Sequence, residues 1–228
     1  MSSADSAASS TTTRENRPSI CGPDAGPAQP YPLYLEGVIQ RGFGRGGKDL
    51  GCPTANLPSS VFTDASSSSS SGSGSGSGSS SSSRPGLDST GVYFGYARVY
   101  PPSYSPSSAD GDATGSKEEK DINASEPPPP PSELAEGESV VLPQVMSVGY
   151  NPFYGNTKKT AEVHIMHPFS HDFYGNYMKV VILGYIRPEL NYVSKEALIE
   201  DIETDKRVGL ASLARPAYSA FKDDPFFK

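Results

Sequence analysis

Two long stretches of this 228-residue chain cannot contribute to a folded core, and they decide how the remainder can be organised. Ser66–Ser83 is serine interrupted only by four glycines, a composition that buries nothing and loses much backbone entropy on ordering. The segment 101–138 holds a run of five prolines, nine acidic residues and two lysines. We therefore expect low-complexity insertions at about 64–86 and 101–138.

The first 30 residues also lack the pattern of a folded segment. They are rich in Ser, Ala, Thr, Gly and Pro and contain no apolar run of the kind that a signal peptide needs, so we expect 1–30 to be a disordered tail. The remaining blocks, 31–62, 88–100 and 139–228, add up to about 135 residues, the size of one domain. Because long surface insertions cost little closure entropy, 31–228 is predicted to form a single domain.

The acidic net charge of −7 comes from one segment. Nine acidic residues minus two lysines give seven negative charges in 101–138, so the rest of the chain is neutral overall. An acidic chain lacks the basic surplus that binds phosphate backbones, so no nucleic-acid partner is expected. The sequence contains no stretch of 18 apolar residues, so no transmembrane segment is expected. Its two cysteines are too few for a disulfide framework. We expect a cytoplasmic monomer, with mitochondrial association as the alternative.

Alternating apolar residues predict a mainly β fold. Residues 92–100 alternate between two faces with the period of a half-buried strand, and similar patterns occur in Tyr34–Gln40, Val140–Tyr150, Thr160–His167 and Tyr177–Ile186. Short strands separated by turn residues favour an antiparallel barrel or sandwich.

The pattern changes near the C-terminus. Ser194 can cap a helix, and Leu198, Ile199 and Ile202 recur at helical spacing in a charged segment. We expect a C-terminal helix packed on one end of a small barrel, with Pro225–Phe227 packing back onto the barrel.

A glycine-rich loop, Gly42–Asp49, follows the first predicted strand. It satisfies the GxGxxG pattern and approaches the Walker pattern, but both need a helix, and Leu50–Pro53 cannot form one. Four glycines together with Arg41, Arg45 and Lys48 still make a cationic loop with exposed amides, which suits a polyphosphate. A mobile hairpin loop with basic residues for solubility is the alternative.

The segment that follows this loop makes a resemblance specific. Five segments resemble, in the same order, the riboflavin kinase family of the monofunctional, fungal-like type. These segments are Gly37–Pro58 (GVIQRGFGRGGKDLGCPTANLP), Gly91–Val99, Ser147–His167, Phe173–Tyr192 and the helix from Ser194. They cover nearly all of the core but neither the tail nor the insertions. The resemblance implies a six-stranded antiparallel Greek-key barrel with a C-terminal helix. It also implies transfer of the γ-phosphate of ATP to the 5'-hydroxyl of riboflavin, which gives FMN and ADP. A second, adenylylating activity is not expected, because only 30 residues precede the core and no HxGH-like element appears.

The resemblance also implies the site residues. Thr54 and Asn56 correspond to the ligands of Mg²⁺, with Zn²⁺ or Mn²⁺ as alternatives, and Glu162 corresponds to the catalytic glutamate, which accepts or orients the ribityl hydroxyl proton. The positions assigned to ATP are Gly42, Gly44, Lys48, Thr54, Asn56 and Asn156. The positions assigned to the flavin are Arg187, Asn191 and Tyr192.

Without the family, these residues have plainer interpretations. Pro53–Asn56 is then a turn, and Glu162 a solvated strand residue. His164 and His167, three apart along a strand, face opposite sides, which favours a structural role over a shared metal ion. At the level of the whole chain, the alternatives to the kinase are an inactive flavin-binding barrel and a scaffold that uses the Pro-rich acidic insertion.

Overall fold

The computed structural model describes residues 17–41, 54–62, 87–106, 128–150, 159–192 and 194–228. Six strands and two helices follow in chain order: β1 (Leu33–Val38), β2 (Ala55–Leu57), β3 (Gly91–Val99), β4 (Leu142–Tyr150), β5 (Lys159–Ile165), β6 (Tyr177–Arg187), α1 (Lys195–Leu213) and α2 (Pro216–Ser219). Short 3-10 turns occur at Ser59–Phe62, Ala220–Asp223 and Pro225–Phe227.

The strands form one antiparallel sheet in the order β1-β6-β3-β4-β5-β2. A bridge between Gln40 and Asn56 joins the two edges of the sheet, with N···O distances of 2.8 and 3.4 Å. The edge strands therefore do not remain open, and the predicted six-stranded barrel with a C-terminal helix is confirmed. Strand β2 has three residues, too few for an alternating pattern to predict.

Two apolar clusters lie on opposite sides of the sheet. Tyr93, Ala97 and Val99 of β3 point into the barrel, whereas Phe94 and Tyr96 face outward and pack under α1, α2 and the C-terminus. The prediction that this strand is half-buried is wrong, because α1, α2 and the C-terminus cover its outer face. Eight of its nine residues are buried, which explains why both faces are apolar.

A bulge in β6 carries a charged residue to the outer face of the barrel. The register shifts between Val92 and Tyr93, so that Val92 lies opposite Arg187 while Tyr93 lies opposite Tyr185. Ile186 belongs to the outer cluster, and the next residue, Arg187, reaches α1 on the same side. A bulge permits two consecutive side chains to face one side of a sheet.

Helix α1 begins as the sequence predicts, because the Ser194 hydroxyl accepts a hydrogen bond from the Ala197 amide at 3.1 Å. Its buried face, however, differs from the predicted apolar one. Leu198, Ile199 and Ile202 are only partly buried, whereas the residues buried on α1 are Asp201, Asp205, Val208, Gly209, Ser212 and Leu213. The N-terminal half of the helix is therefore held by charged groups rather than by aliphatic packing.

The C-terminus packs back onto the barrel, as predicted. Phe227 is buried in the outer cluster, and its carbonyl accepts hydrogen bonds from Arg98 and Tyr100, both at 2.8 Å. None of the helices in the described ranges is long and apolar enough to cross a membrane.

The predicted disordered tail at 1–30 is wrong for residues 17–30. Cys21 is buried in the outer cluster, and its amide donates to the Ser212 hydroxyl at 2.9 Å. The Tyr218 hydroxyl donates to the Pro23 carbonyl at 3.1 Å. This segment is folded because its polar backbone groups find partners on α1 and α2, a match that its Pro- and Gly-rich composition does not reveal.

The two ends of the insertion predicted at 101–138 also belong to the folded protein. Residues 101–106 and 128–138 are described, and Asn176 holds the second of these segments. Its amide nitrogen donates to the carbonyls of Tyr100 at 2.9 Å and Ser132 at 2.8 Å, while its oxygen accepts from the Ser132 amide at 2.9 Å. Residues 107–127 and the insertion at about 64–86 lie outside the described residues.

Candidate active site

A row of directly opposed residues runs across the barrel. Asn56 lies opposite Glu162, and Glu162 in turn lies opposite Ser147 of β4. From one end to the other, the row consists of Gln40, Asn56, Glu162, Ser147, Val92 and Arg187. Directly opposed residues of antiparallel strands share a face, with Cβ atoms about 4.5–5.5 Å apart. Five of the six side chains are polar and Val92 is the apolar exception, so we call this row the polar track.

This track lies on the outer surface of the barrel. The sequence neighbours of Asn56 and Glu162 belong to the interior cluster: Ala55, Leu57, Ala161 and Val163. Since side chains alternate along a strand, Asn56 and Glu162 point the other way. Glu162 is exposed, whereas Asn56 is only 9% exposed. An exposed carboxylate thus lies directly beside a buried amide.

Thr54, two residues before Asn56, lies between the polar track and a cavity. It precedes β2 and lines a cavity of about 120 Å³ together with residues 169–174. The Phe169 and Phe173 rings lie 4.3 Å apart, and the Arg41 guanidinium lies 5.4 Å from the centroid of the Tyr174 ring. The cavity is therefore aromatic on one wall and adjoins the polar track at Thr54.

The donor atoms around Asn56 fit a hard divalent cation. The side chains of Thr54 and Asn56 offer neutral oxygens, and among the described residues the Gln40 Oε1 atom is buried without a hydrogen-bond partner. An orphaned carbonyl oxygen in the track next to Asn56 is the type of atom that a cation or its water would satisfy. No group of three or more His, Cys, Asp or Glu side chains converges in the part of the chain that the structure describes.

Arg187, at the far end of the track, has its guanidinium turned into the protein. It is 4% exposed, and its Nη2 donates to the Asp205 carboxylate at 2.7 Å and to the Tyr192 hydroxyl at 2.8 Å. Its Nε donates to both Asp205 oxygens, at 3.0 and 3.1 Å, and its Nη1 donates to the Pro188 carbonyl at 3.0 Å. Burial lowers the pKa of Arg187, but the hydrogen bonds and charge of Asp205 outweigh burial and raise the pKa above its ordinary value. Each nitrogen is therefore engaged within the protein.

Tyr192 and Asn191 lie in the segment between β6 and α1. Asn191 is exposed and Tyr192 is partly buried. Burial raises the pKa of the Tyr192 hydroxyl, while the charge of Arg187 acts in the opposite direction, and the net pKa lies above the ordinary value. The hydroxyl is therefore protonated at neutral pH, and its oxygen accepts the hydrogen bond from Arg187 through a lone pair.

The family profile described as "Flavokinase: Riboflavin kinase" matches residues 29–213, most of the chain. The chain belongs to the riboflavin kinase family. A riboflavin kinase of Pyricularia oryzae is 44% identical over 203 residues, which cover 89% of this chain and 81% of that protein. A riboflavin kinase of Eremothecium gossypii is 41% identical over 200 residues, which cover 87% and 93% of the two chains.

A solved structure of a distant family member has the same fold. The crystal structure of riboflavin kinase from Trypanosoma brucei superposes with a TM-score of 0.50 at 19% identity, covering 88% of this chain and 91% of that one. At this identity the likeness bears on the fold alone. It agrees with the six-stranded barrel of the present chain.

Some predicted site residues of this riboflavin kinase family member come together and others lie apart. Thr54, Asn56 and Glu162 meet around the short strand β2, whereas Arg187, Asn191 and Tyr192 lie at the other end of the track. Gly42, Gly44, Lys48 and Asn156 lie outside the described residues.

Sequence reasoning missed the aromatic cavity. Its wall comes from the loop between β5 and β6, which contains Phe169, His171, Phe173 and Tyr174 within six residues. That density of rings directly after the strand that carries Glu162 was the available signal. His164 lies within β5 and His167 lies beyond its end, with the His167 ring 5.0 Å from that of Phe169.

Proposed function

We propose that this protein transfers the γ-phosphoryl group of ATP to the 5'-hydroxyl of riboflavin, yielding FMN and ADP. The observation that carries the proposal is the register between β2 and β5, which sets Asn56 directly opposite Glu162 with Thr54 two residues away. Phosphoryl transfer needs oxygen ligands for a metal bridging the phosphates and an acceptor that orients the attacking hydroxyl. Membership of the riboflavin kinase family supports the choice of substrates.

Thr54 and Asn56 would hold Mg²⁺ through the hydroxyl and the amide oxygen, with the Gln40 oxygen next in the track. When bound, the cation supplies charge neutralisation on the phosphates. Neutral ligands leave the cation's full charge available to the nucleotide, and they add no negative charge that would repel it. The same donors accept Mn²⁺ or Zn²⁺, so the identity of the metal is part of the proposal.

The cavity beside Thr54 is our proposed place for the nucleotide. Phe169, Phe173 and Tyr174 offer ring faces and edges against which a purine can stack. Gly42, Gly44, Lys48 and Asn156 remain proposed contacts to the phosphates, since their glycines and basic side chain suit a polyphosphate. A base in the cavity would then point its phosphates along the track toward Asn56.

Glu162 would accept, or orient, the proton of the ribityl hydroxyl. The carboxylate lies on the exposed part of the track, between Asn56 and Ser147, where a ligand can reach it from solvent. In a loose transition state the attacking oxygen needs alignment more than it needs a strong base. The flavin ring would lie toward Asn191 and Tyr192, and the buried Arg187 would act there as a positioning residue rather than as a contact.

The test is FMN formation from riboflavin and Mg·ATP by the wild type and by Glu162→Gln. We expect the variant to lose about 10²–10⁴-fold in kcat while its melting temperature stays unchanged, because an exposed carboxylate contributes little to stability. Glu200→Gln, on the exposed face of α1, is the matched control and should keep wild-type turnover. Wild-type turnover by Glu162→Gln would refute the assigned role, and absence of FMN formation by the wild type would favour the inactive flavin-binding barrel.

A further inference from the structure

A buried chain of charges joins the N-terminal segment to the loop after β6. Arg17 Nη2 lies 2.9 Å from Asp201 Oδ1, and Arg17 Nη1 lies 3.2 Å from Asp205 Oδ1. The side chains of all three residues are 7% exposed or less. Buried charges of this kind are costly unless each is paired, so the geometry is tightly constrained.

Asp205 is shared between two guanidinium groups. While Oδ1 accepts from Arg17, Oδ2 receives Nη2 of Arg187 at 2.7 Å. The same Nη2 nitrogen donates to the Tyr192 hydroxyl at 2.8 Å. Arg17 is thus linked to Tyr192 through Asp205 and Arg187, with one hydrogen bond or ion pair at each step.

The charge balance of this network depends on Arg17. Two guanidiniums face two carboxylates, those of Asp201 and Asp205, so the buried group is neutral overall. Without Arg17, two neighbouring carboxylates would face one guanidinium. The uncompensated negative charge would draw the Arg187 guanidinium closer to the carboxylates, and the hydrogen bond from its Nη2 to Tyr192 would weaken.

Other contacts hold the N-terminal segment in place independently of Arg17. Arg215 donates to the carbonyls of Cys21 and Gly22 and pairs with Asp24, and the Cys21 amide donates to Ser212. None of these groups forms part of the network around Asp205. Replacement of Arg17 should therefore leave the segment attached and the protein folded.

We propose that Arg17 is a positioning residue for riboflavin binding, and that the N-terminal segment sets the affinity for riboflavin through Asp205, Arg187 and Tyr192. This inference rests on the proposed function, which places the flavin ring beside Asn191 and Tyr192. Thr54 and the aromatic cavity lie at the opposite end of the polar track, so the effect should be confined to riboflavin.

The experiment measures KM for riboflavin and for ATP, together with the Kd of riboflavin from quenching of its fluorescence. For Arg17→Met we expect about a tenfold rise in the KM and Kd of riboflavin, with the KM of ATP within about twofold of wild type. Arg17→Lys should show a smaller rise, since it keeps the charge but lacks the planar fork. Arg17→Met/Asp201→Asn removes the excess negative charge and should recover most of the riboflavin affinity.

The matched control is Arg215→Met, which removes an arginine that holds the same segment but lies outside the network. It should lower the melting temperature while leaving the KM of riboflavin unchanged. An equal rise in the KM of riboflavin in Arg215→Met, parallel changes in both substrates, or failure of the double variant to recover would overturn the proposal. If the wild type binds riboflavin without forming FMN, the proposed reaction fails, and the Kd values still decide the role of Arg17; a wild type that binds no riboflavin overturns both.

Discussion

At the scale of single residues, the two ends of the track differ in what their side chains contact. Asn56 and Glu162 lie opposite each other on β2 and β5, whereas the Arg187 guanidinium is bound to Asp205 of α1. Thr54, Asn56 and Glu162 were named from two short motifs that resemble the family. In the structure these motifs lie on or next to the paired strands β2 and β5. Arg187 was predicted to contact the flavin, yet its guanidinium is buried against Asp205, which lies 18 residues further on and reaches it only through helix packing. Ion pairs between distant segments leave no periodic signal, so neither this pair nor Arg17 could be predicted.

The side chain at position 56 permits a test at this scale. Asn56→Leu removes the amide oxygen, so we expect a higher Mg²⁺ concentration for half-maximal rate and a loss of about 10²-fold in kcat/KM. Asn56→Asp keeps an oxygen but sets a negative charge opposite Glu162 and close to the proposed phosphates. Its Mg²⁺ requirement should stay near wild type while the KM of ATP rises.

Initial rates measured against Mg²⁺ and against ATP distinguish the two variants. Ser147→Ala, which alters the neighbour of Glu162 on β4, is the control for general disturbance of the track. If Asn56→Leu keeps the wild-type Mg²⁺ dependence, position 56 does not hold the metal.

At the scale of elements, five strands followed from alternating residues, because a barrel wall places every second side chain in the core. The sixth, β2, is only three residues long, which is too short for an alternating pattern to predict a strand. The helix N-cap at Ser194 was predictable because capping depends on local chemistry. The folded segment 128–138 was not predictable, because Glu138 lies in an acidic, Pro-rich stretch of a composition typical of disorder.

Glu138 fastens that segment to the loop that lines the aromatic cavity. It is 5% exposed; its Oε1 accepts from the Ser170 amide at 2.7 Å and its Oε2 from the Ala135 amide at 2.8 Å. Burial raises the pKa of Glu138, but the N–H donors, mainly those of Ser170 and Ala135, together with the charge of His167, leave the pKa below its ordinary value. In Glu138→Gln the NH₂ group of the new amide faces one of these backbone N–H groups, so two donors meet and one hydrogen bond is lost. We expect a loss of about 1–3 kcal/mol in the free energy of unfolding.

This loss should depend on pH. A carboxyl group with a lowered folded-state pKa stabilises the protein fully above its unfolded-state pKa, and the contribution disappears as pH falls through the folded-state pKa. Urea unfolding at pH 7 and at about pH 3.5 should therefore show a smaller difference between wild type and Glu138→Gln at the acidic pH.

Because Ser170 lines the cavity, Glu138→Gln should also raise the KM of ATP and leave the KM of riboflavin unchanged. Glu136→Gln, exposed in the same segment, should match wild type, and a pH-independent difference would contradict the role of Glu138.

At the scale of the whole molecule, composition predicts one domain with low-complexity insertions, but it does not predict how far the folded part extends. Residues 17–30 and 128–138 have the composition of linkers, yet they pack through a few specific polar groups such as Arg17, Glu138 and Asn176. Composition reports how much apolar surface a segment can bury. It does not report whether a neighbouring element offers partners for its backbone amides and carbonyls.

Two deletions separate the insertion from its folded ends. Replacing 107–127 by a short Gly/Ser linker keeps residues 128–138, and therefore keeps the contacts of Glu138 with Ser170 and of Asn176 with Ser132. FMN formation and the KM of ATP should stay within about twofold of wild type, because the closure entropy of a connecting segment depends only weakly on its length. Replacing 101–138 removes those contacts, exposes the loop that lines the cavity, and should raise the KM of ATP and lower the melting temperature. If the shorter deletion already abolished FMN formation, the acidic segment would take part in the reaction; if it removed only binding of a partner protein, it would be the recruiting segment of a scaffold built on an active kinase.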